Sequence, residues 1–382
     1  MSWPFKPLNE LCLLAVDCVN KTAPVVDYDT GYRMIRTTNI KGGFIDLDNV
    51  RYVTEEVFEK WTRRSRPQYG DVILTREAPV GEVGRFTEDV NNVFLGQRLF
   101  HYRPDPELLD WNYLAYALQS RQVQGRLKGM GFGATVDHIR VGDAETLAIP
   151  CPTLPVQHSI GGILASYDDL IENNQRRIQL LEESARLLYK EWFAHLRFPG
   201  HEHVKVTHGV PEGWEPLPLG DLITLQRGFD LPVSKRVEGE VPIYASTGIT
   251  GYHAEEKVSG PGVVTGRSGS LGQVMYVNSD YWPLNTTLWV KEFKKIRPHF
   301  ARHLLAGLHL EQYNGGAAVP TLNRNDVHRI QVLLPPPTLL SLFEEQATDF
   351  YQQVDVLTKT NERLAKARDL LLPKLMSGEL AA

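Results

Sequence analysis

Two stretches of this chain are nearly free of glycine and proline and repeat apolar residues at alternating spacings of four and three. The first runs through Ile160, Leu164, Tyr167, Ile171, Asn174, Ile178, Leu181, Ala185, Leu188 and Trp192. The second runs through Leu340, Phe343, Ala347, Phe350, Val354, Leu357, Asn361, Leu364, Arg368, Leu371 and Leu375. A mean spacing of 3.5 is the seam of a coiled coil, and about 38 residues per helix gives a length of roughly 57 Å. A helix packed only on its own domain would carry a similar stripe; the unusual length favours the coiled coil. Each stretch follows a proline stop, Pro150-Cys151-Pro152 or Pro335-Pro336-Pro337. Ahead of each stop lies a region rich in Gly, Pro and β-branched residues, where runs such as Gly70-Asp71-Val72-Ile73-Leu74-Thr75 read as strands and turns.

This layout occurs twice because the sequence itself does. Trp3, Pro7, Leu8 and Leu11 match Trp214, Pro218, Leu219 and Leu222 at a shift of 211. Val72-Ile73, Arg76, Gly81 and Val83 match Val263-Val264, Arg267, Gly272 and Val274 at a shift of 191. Leu95 and Leu99 match Leu284 and Leu288 at 189, and Ile149-Pro150 matches Leu334-Pro335 at 185. The order is kept while the shift falls, so the first copy carries extra loop residues early. The expected architecture is α/β (α+β): domains over residues 1–152 and 199–334, and long helices over 153–198 and 335–382. The helices would form an antiparallel coiled coil with internal pseudo-two-fold symmetry.

In an antiparallel pair an a position faces a d position. Asn174 and Asn361 can therefore share one layer. That register sets Ile178 on Leu357, Leu181 on Val354, Ala185 on Phe350, Leu188 on Ala347 and Trp192 on Phe343. In the other direction Ile171 meets Leu364, Tyr167 meets Arg368, Leu164 meets Leu371 and Ile160 meets Leu375. A slip by one heptad leaves each amide unpaired at a cost of about 1–3 kcal/mol, so the two asparagines are candidate register residues. Pro373 is expected to end or kink the second helix.

The 382 residues carry a net charge of −5, which counts against DNA binding unless Lys and Arg are gathered locally. Three cysteines suggest neither a disulfide framework nor a zinc cluster. No signal pattern opens the chain and no apolar run reaches membrane-spanning length, so a cytoplasmic protein is expected. Catalytic signatures are missing: there is no G-x4-G-K-[ST] loop and no Asn- or Asp-Pro-Pro-aromatic motif. Gly129-Met130-Gly131-Phe132-Gly133 lacks the βαβ setting of a nucleotide loop, and His201-Glu202-His203 with His208 lacks metal-ligand spacing. Polar residues in turns, by contrast, recur in both copies. They are Arg36, Thr37, Asn39, Arg76, Gln97 and Arg98 in the first, and Tyr252, Arg267, Ser268, Asn285 and Thr286 in the second. Arg pairs with guanine and Asn or Gln with adenine in the major groove, and Thr meets a thymine methyl. Lys128 and Arg324 complete the candidate DNA-contacting set. The bland alternative is that Asn and Thr are ordinary turn formers and that each Arg pairs with a carboxylate.

The ending Leu370-Leu371-Leu372-Pro373-Lys374-Leu375-Met376-Ser377-Gly378-Glu379-Leu380 closely resembles the C-terminus of type I restriction-modification specificity subunits. Gly70–Arg76, Gly266–Gly272 and Ile149-Pro150-Cys151-Pro152 before a long helix resemble that family too. The resemblance covers essentially the whole chain. It implies two target-recognition domains, each reading half of a bipartite double-stranded DNA site, with spacer helices that dock two methyltransferase subunits. Restriction and translocase subunits would join the assembly. The chain would have no catalytic site and bind no cofactor, and S-adenosylmethionine, ATP and magnesium would belong to the partners. Cys151 departs from the family pattern, which often has a second proline there, and the Leu-x-Glu-Gln motif is displaced near Glu344-Glu345-Gln346. Two other readings fit the same residues: the DNA reader of a related modification system with different partners, and a helical scaffold that binds no DNA.

Overall fold

Val72, Ile73, Leu74 and Thr75 are all buried, so the strand Val72–Arg76 has no solvent face and must lie inside a sheet. It pairs antiparallel with Leu99–Pro104 on one side and Val80–Arg85 on the other; Cys12–Asp17 then pairs with Leu99–Pro104 to complete four strands. Period-two alternation splits the two faces. Val72, Leu74, Phe100 and Tyr102 join the main core with the helix Trp111–Gln119, while Ile73 and Leu99 join a second cluster with Ile35, Ile40 and Phe86. Asp110 starts that helix by accepting from the Tyr113 N–H at 2.7 Å, a side-chain N-cap. A smaller sheet holds Arg33–Ile35 between Arg51–Tyr52 and Val93–Leu95, the latter pairing parallel. Phe5–Pro7 pairs with Ala148–Pro150 and closes the domain.

The second copy repeats this topology strand for strand. Its four-stranded sheet runs Ile223–Arg227, Thr287–Phe293, Gly262–Gly266, Val274–Val277, again all antiparallel. Val241–Ala245 lies between Gly248–His253 and Trp282–Pro283, again with one parallel pairing, and Glu215–Pro218 pairs with Gln331–Leu334. The extra residues of the first copy lie between Ile35 and Val72, where it inserts the helix Glu55–Trp61 and a short hairpin.

The structure is a computed structural model that describes residues 3–130, 138–316 and 319–381. Residues 131–133 of the glycine-rich run lie outside that set. The chain divides into two compact units, Met1–Asn174 with Lys359–Ala382, and Gln175–Thr358. The division cuts through both long helices, so each unit holds one sheet-bearing domain and a piece of each helix. The helices are Leu154–Tyr189, of 36 residues, and Pro337–Ser377, of 41. The second does not end at Pro373 but runs through it, which excludes the first of the two expected outcomes there. Leu375 and Met376, with Leu371 and Leu372 beside them, are embedded in the core of the first unit. That burial outweighs the one hydrogen bond proline cannot donate. Gly378, at φ +71°, then ends the helix, with the Leu380 N–H bonded to the Lys374 carbonyl at 3.1 Å.

Within the first unit the two helices are antiparallel neighbours. Asn174 Nδ2 donates to Asn361 Oδ1 at 2.9 Å, and Asn361 Nδ2 donates to the Ile171 carbonyl at 3.2 Å. Ile160, Leu164, Leu371 and Leu375 share one apolar cluster. The layer of Tyr167 and Arg368 differs from expectation. Arg368 binds Asp168 at 2.5 Å, because a buried carboxylate attracts a guanidinium more strongly than a ring face does. Within the second unit Trp192 meets Phe343 edge-on at 6.2 Å, in one core with Ala185, Leu188, Ala347 and Phe350. Replacing Asn361 with Leu is expected to cost about 1–3 kcal/mol, because the Asn174 amide is left buried without its partner. Urea unfolding of Asn361→Leu checks this, and a variant as stable as the parent would show the amide layer to be dispensable.

Candidate nucleic-acid interface

In the first domain the chain ends of the small sheet gather polar side chains into a cleft of about 260 Å³. Arg36, Thr37 and Thr38 come from the turn after Arg33–Ile35, and Gln97 and Arg98 from the turn after Val93–Leu95. The parallel pairing of these strands places both turns at the same end. Thr22, Arg51 and the apolar Ala23, Val25 and Met34 complete the lining. Arg98 has φ +72°, a left-handed backbone that a non-glycine residue adopts at a cost, and its guanidinium pairs with Glu77 at 3.0 Å. Arg36 is half-buried and its Nε makes no hydrogen bond. Three guanidiniums, an amide, hydroxyls and apolar groups thus line one cleft, which can meet both phosphates and base edges. This local gathering answers the objection raised by the net charge of −5.

Asn39 is a correction. It is 3% exposed, its Oδ1 accepts from the Arg36 N–H at 3.0 Å, and its Nδ2 donates to the carbonyls of Asp46 and Asn49 at 3.3 and 2.9 Å. An amide so committed builds the turn that presents Arg36 and cannot itself reach a base. Arg76 does not line the cleft but adjoins it through Arg98. Its N–H bonds the Arg98 carbonyl at 2.9 Å, its carbonyl accepts from the Ile139 N–H at 3.0 Å, and Nη1 donates to the Ile139 carbonyl at 2.8 Å.

Arg267 stands in the same slot of the second domain. Its N–H bonds the Thr286 carbonyl at 2.8 Å, its carbonyl accepts from Leu322 at 2.8 Å, and Nη1 donates to the Asn285 carbonyl at 3.2 Å. In both copies the main chain of this residue ties a strand end to the neighbouring turn, while the guanidinium holds Ile139 in one copy and the turn residue Asn285 in the other. The Ser268 N–H also bonds the Thr286 carbonyl, at 3.0 Å, so Arg267, Ser268, Asn285 and Thr286 are brought together. Tyr252 is 55% exposed on the strand Gly248–His253, and Arg324 is exposed at the start of the helix Arg324–His328. Lys128 is exposed in the last turn of Arg121–Met130. None of these three joins the clusters through a described contact. Sequence reasoning missed Arg51, which comes from a two-residue strand, and Thr22 and Asp230, which come from loops with no local pattern.

The family model described as the type I restriction modification DNA specificity domain matches residues 3–183 and 211–364. The chain is similar to the type I restriction enzyme MjaIX specificity subunit of Methanocaldococcus jannaschii, with 25% identity over 359 residues, covering 86% of this chain and 82% of that one. A putative type I specificity subunit of Mycoplasma genitalium is 28% identical over 206 residues, covering 50% and 52% of the two chains. The crystal structure of a type I restriction-modification S subunit from M. genitalium shares the fold, with TM-score 0.63, 20% identity and coverage of 98% and 96%.

Proposed function

The chain belongs to the type I restriction modification DNA specificity family, and from that premise we propose how its two domains are used. It is a DNA-recognising subunit without catalysis of its own. Each domain reads one half of a bipartite double-stranded site. The observation that carries this is the repeated topology in which the same turn, before Leu99 and before Leu288, bears Gln97 and Arg98 in one copy and Asn285 and Thr286 in the other. Arg and amide side chains on such turns discriminate bases, while the Lys and Arg around them hold phosphates.

Two methyltransferase subunits dock along the long helices in this reading, and restriction and translocase subunits join them. Exposed apolar residues support it, since Leu170, Leu180, Leu187, Val356 and Leu370 face away from the cores and favour a protein partner. S-adenosylmethionine, ATP and magnesium serve the partners. No described helix is long and apolar enough to cross a membrane, and the work is cytoplasmic, where the DNA is. Mapping methylated positions in DNA from cells carrying the whole system tests the reading. One bipartite motif, with a fixed gap between its halves, is expected. Arg98→Ala should relax one half alone, at a cost of about 1–3 kcal/mol in discrimination. A motif without two halves would overturn it.

A further inference from the structure

In each domain the loop after the first strand of the main sheet reaches the turn that bears the candidate base readers. The contact is equivalent in the two copies: the Cys18 N–H bonds the Leu99 carbonyl at 3.2 Å, and the Gly228 N–H bonds the Thr287 carbonyl at 3.1 Å. From this loop, in the second domain, the Asp230 carboxylate accepts a hydrogen bond from Asn285 Nδ2. An ionised carboxylate has no proton to give, so only the amide nitrogen can face it. The orientation of the Asn285 amide is therefore settled by chemistry, since the alternative sets two acceptors against each other.

Loop closure does not need this contact. The Phe229 N–H already bonds the Pro283 carbonyl at 2.8 Å, and Phe229 packs on Trp289 with ring centres 6.1 Å apart. Asp230 is also exposed, at 69% of its side chain, with Arg227 as a partner 3.7 Å away. A carboxylate at a DNA-facing turn repels phosphate, and Arg227 offsets that charge. Asn285, with one N–H held by Asp230, keeps its Oδ1 and its second N–H: an acceptor beside a donor. The major-groove edge of adenine offers the complement, an N6–H donor beside the N7 acceptor, whereas guanine offers two acceptors.

The geometry points to Asp230 as a positioning residue for sequence reading, one that commits the Asn285 amide to adenine at one base pair of the half-site read by the second domain. This rests on the reading that the second domain meets a DNA half-site through this turn. Asp230 touches no base; it prevents the half-turn of the amide that would exchange donor and acceptor. The first domain has the same contact in a form that commits nothing. Thr22 Oγ1 lies 3.3 Å from Gln97 Oε1, and a hydroxyl can donate or accept equally well.

Selecting a pool of random-sequence duplexes on the full-length chain tests the proposal. The parent should prefer adenine over other bases at one position by roughly tenfold or more. Asn285→Ala should abolish that preference, and Asp230→Ala should lower it several-fold at that position alone. Every other position, and the other half-site, should be unchanged, which also shows that the variants are folded. Intact adenine preference in Asp230→Ala would overturn the proposal. So would an Asp230→Ala effect at a position that Asn285→Ala leaves alone, because Asp230 would then read a base itself. If Asn285→Ala changes no position, or if the parent selects no bipartite sequence, the underlying reading of the turn or of the protein fails instead.

Discussion

Replacing Asp168 with Ala is expected to destabilise the first unit by about 3–5 kcal/mol. Asp168 sits on the first long helix with its side chain 1% exposed. It accepts from Arg85 Nη2 at 3.0 Å, from the Tyr116 hydroxyl at 2.5 Å and from Arg368 Nη1 at 2.5 Å. One carboxylate thereby joins a sheet strand, a domain helix and both long helices. The Arg85 side chain is 2% exposed; it also donates to Asn112 at 3.0 Å and lies 4.9 Å over the Tyr116 ring. Without Asp168 the Arg85 guanidinium stays buried with no counter-charge, and that uncompensated charge is the main cost. Removing all the charges at once should cost far less, because well-packed apolar groups replace a buried ion network at little loss. Asp168→Leu combined with Arg85→Met and Arg368→Leu should therefore recover most of the stability. Urea unfolding, followed by hydrogen exchange in Trp111–Gln119, checks both variants. A loss below 1 kcal/mol for Asp168→Ala would mean that the network contributes little.

The second unit should lose several kcal/mol of stability as pH falls from about 6.5 to about 4. Two histidines of the helix Pro298–Gly307 are each 5% exposed. His299 stacks on Tyr351 at 4.6 Å, Tyr276 packs against both rings at 4.4 and 5.4 Å, and His303 Nε2 lies 3.1 Å from the Tyr351 hydroxyl. Burial, reinforced by Arg302, lowers His299 from 6.5 to about 4 and His303 to about 3. A depressed histidine is neutral when folded and binds a proton only when unfolded. Its stabilisation is complete above pH 6.5 and drains away as pH falls towards the folded value. Glu344 opposes this trend. It accepts from the N–H groups of His299 and Phe300 at 3.1 and 3.2 Å, yet burial raises it, so its contribution is present at low pH and lost as pH rises. The two histidine shifts are larger, so the net slope is positive. His303→Gln should flatten the curve of stability against pH in this window. A parent curve already flat between pH 6.5 and 4 would refute the assignment.

The patterns legible without a structure were those carried by near neighbours or by repetition. The 3.5-residue period marked both helices and brought Asn174 and Asn361 to one layer, because a helix converts spacing directly into a face. The two copies of the Trp-x3-Pro-Leu and Val-Ile runs announced two domains of one topology, because the same residues meet the same neighbours in each. What each polar residue does was decided only by contacts between distant parts of the chain. Arg36 and Asn39 look alike as turn residues, yet one lines a cleft while the other is spent on three main-chain groups. Arg76 and Arg267 share one slot and equivalent main-chain partners, yet their guanidiniums donate to non-equivalent carbonyls, Ile139 and Asn285, so repetition marked their slot but not their use. Asp168 meets Arg85 and Arg368 across 83 and 200 residues, and Asp230 meets Asn285 across 55. No local spacing encodes such meetings. A carboxylate finds its partner only after the hydrophobic pattern has folded the chain and burial has made an unpaired charge costly.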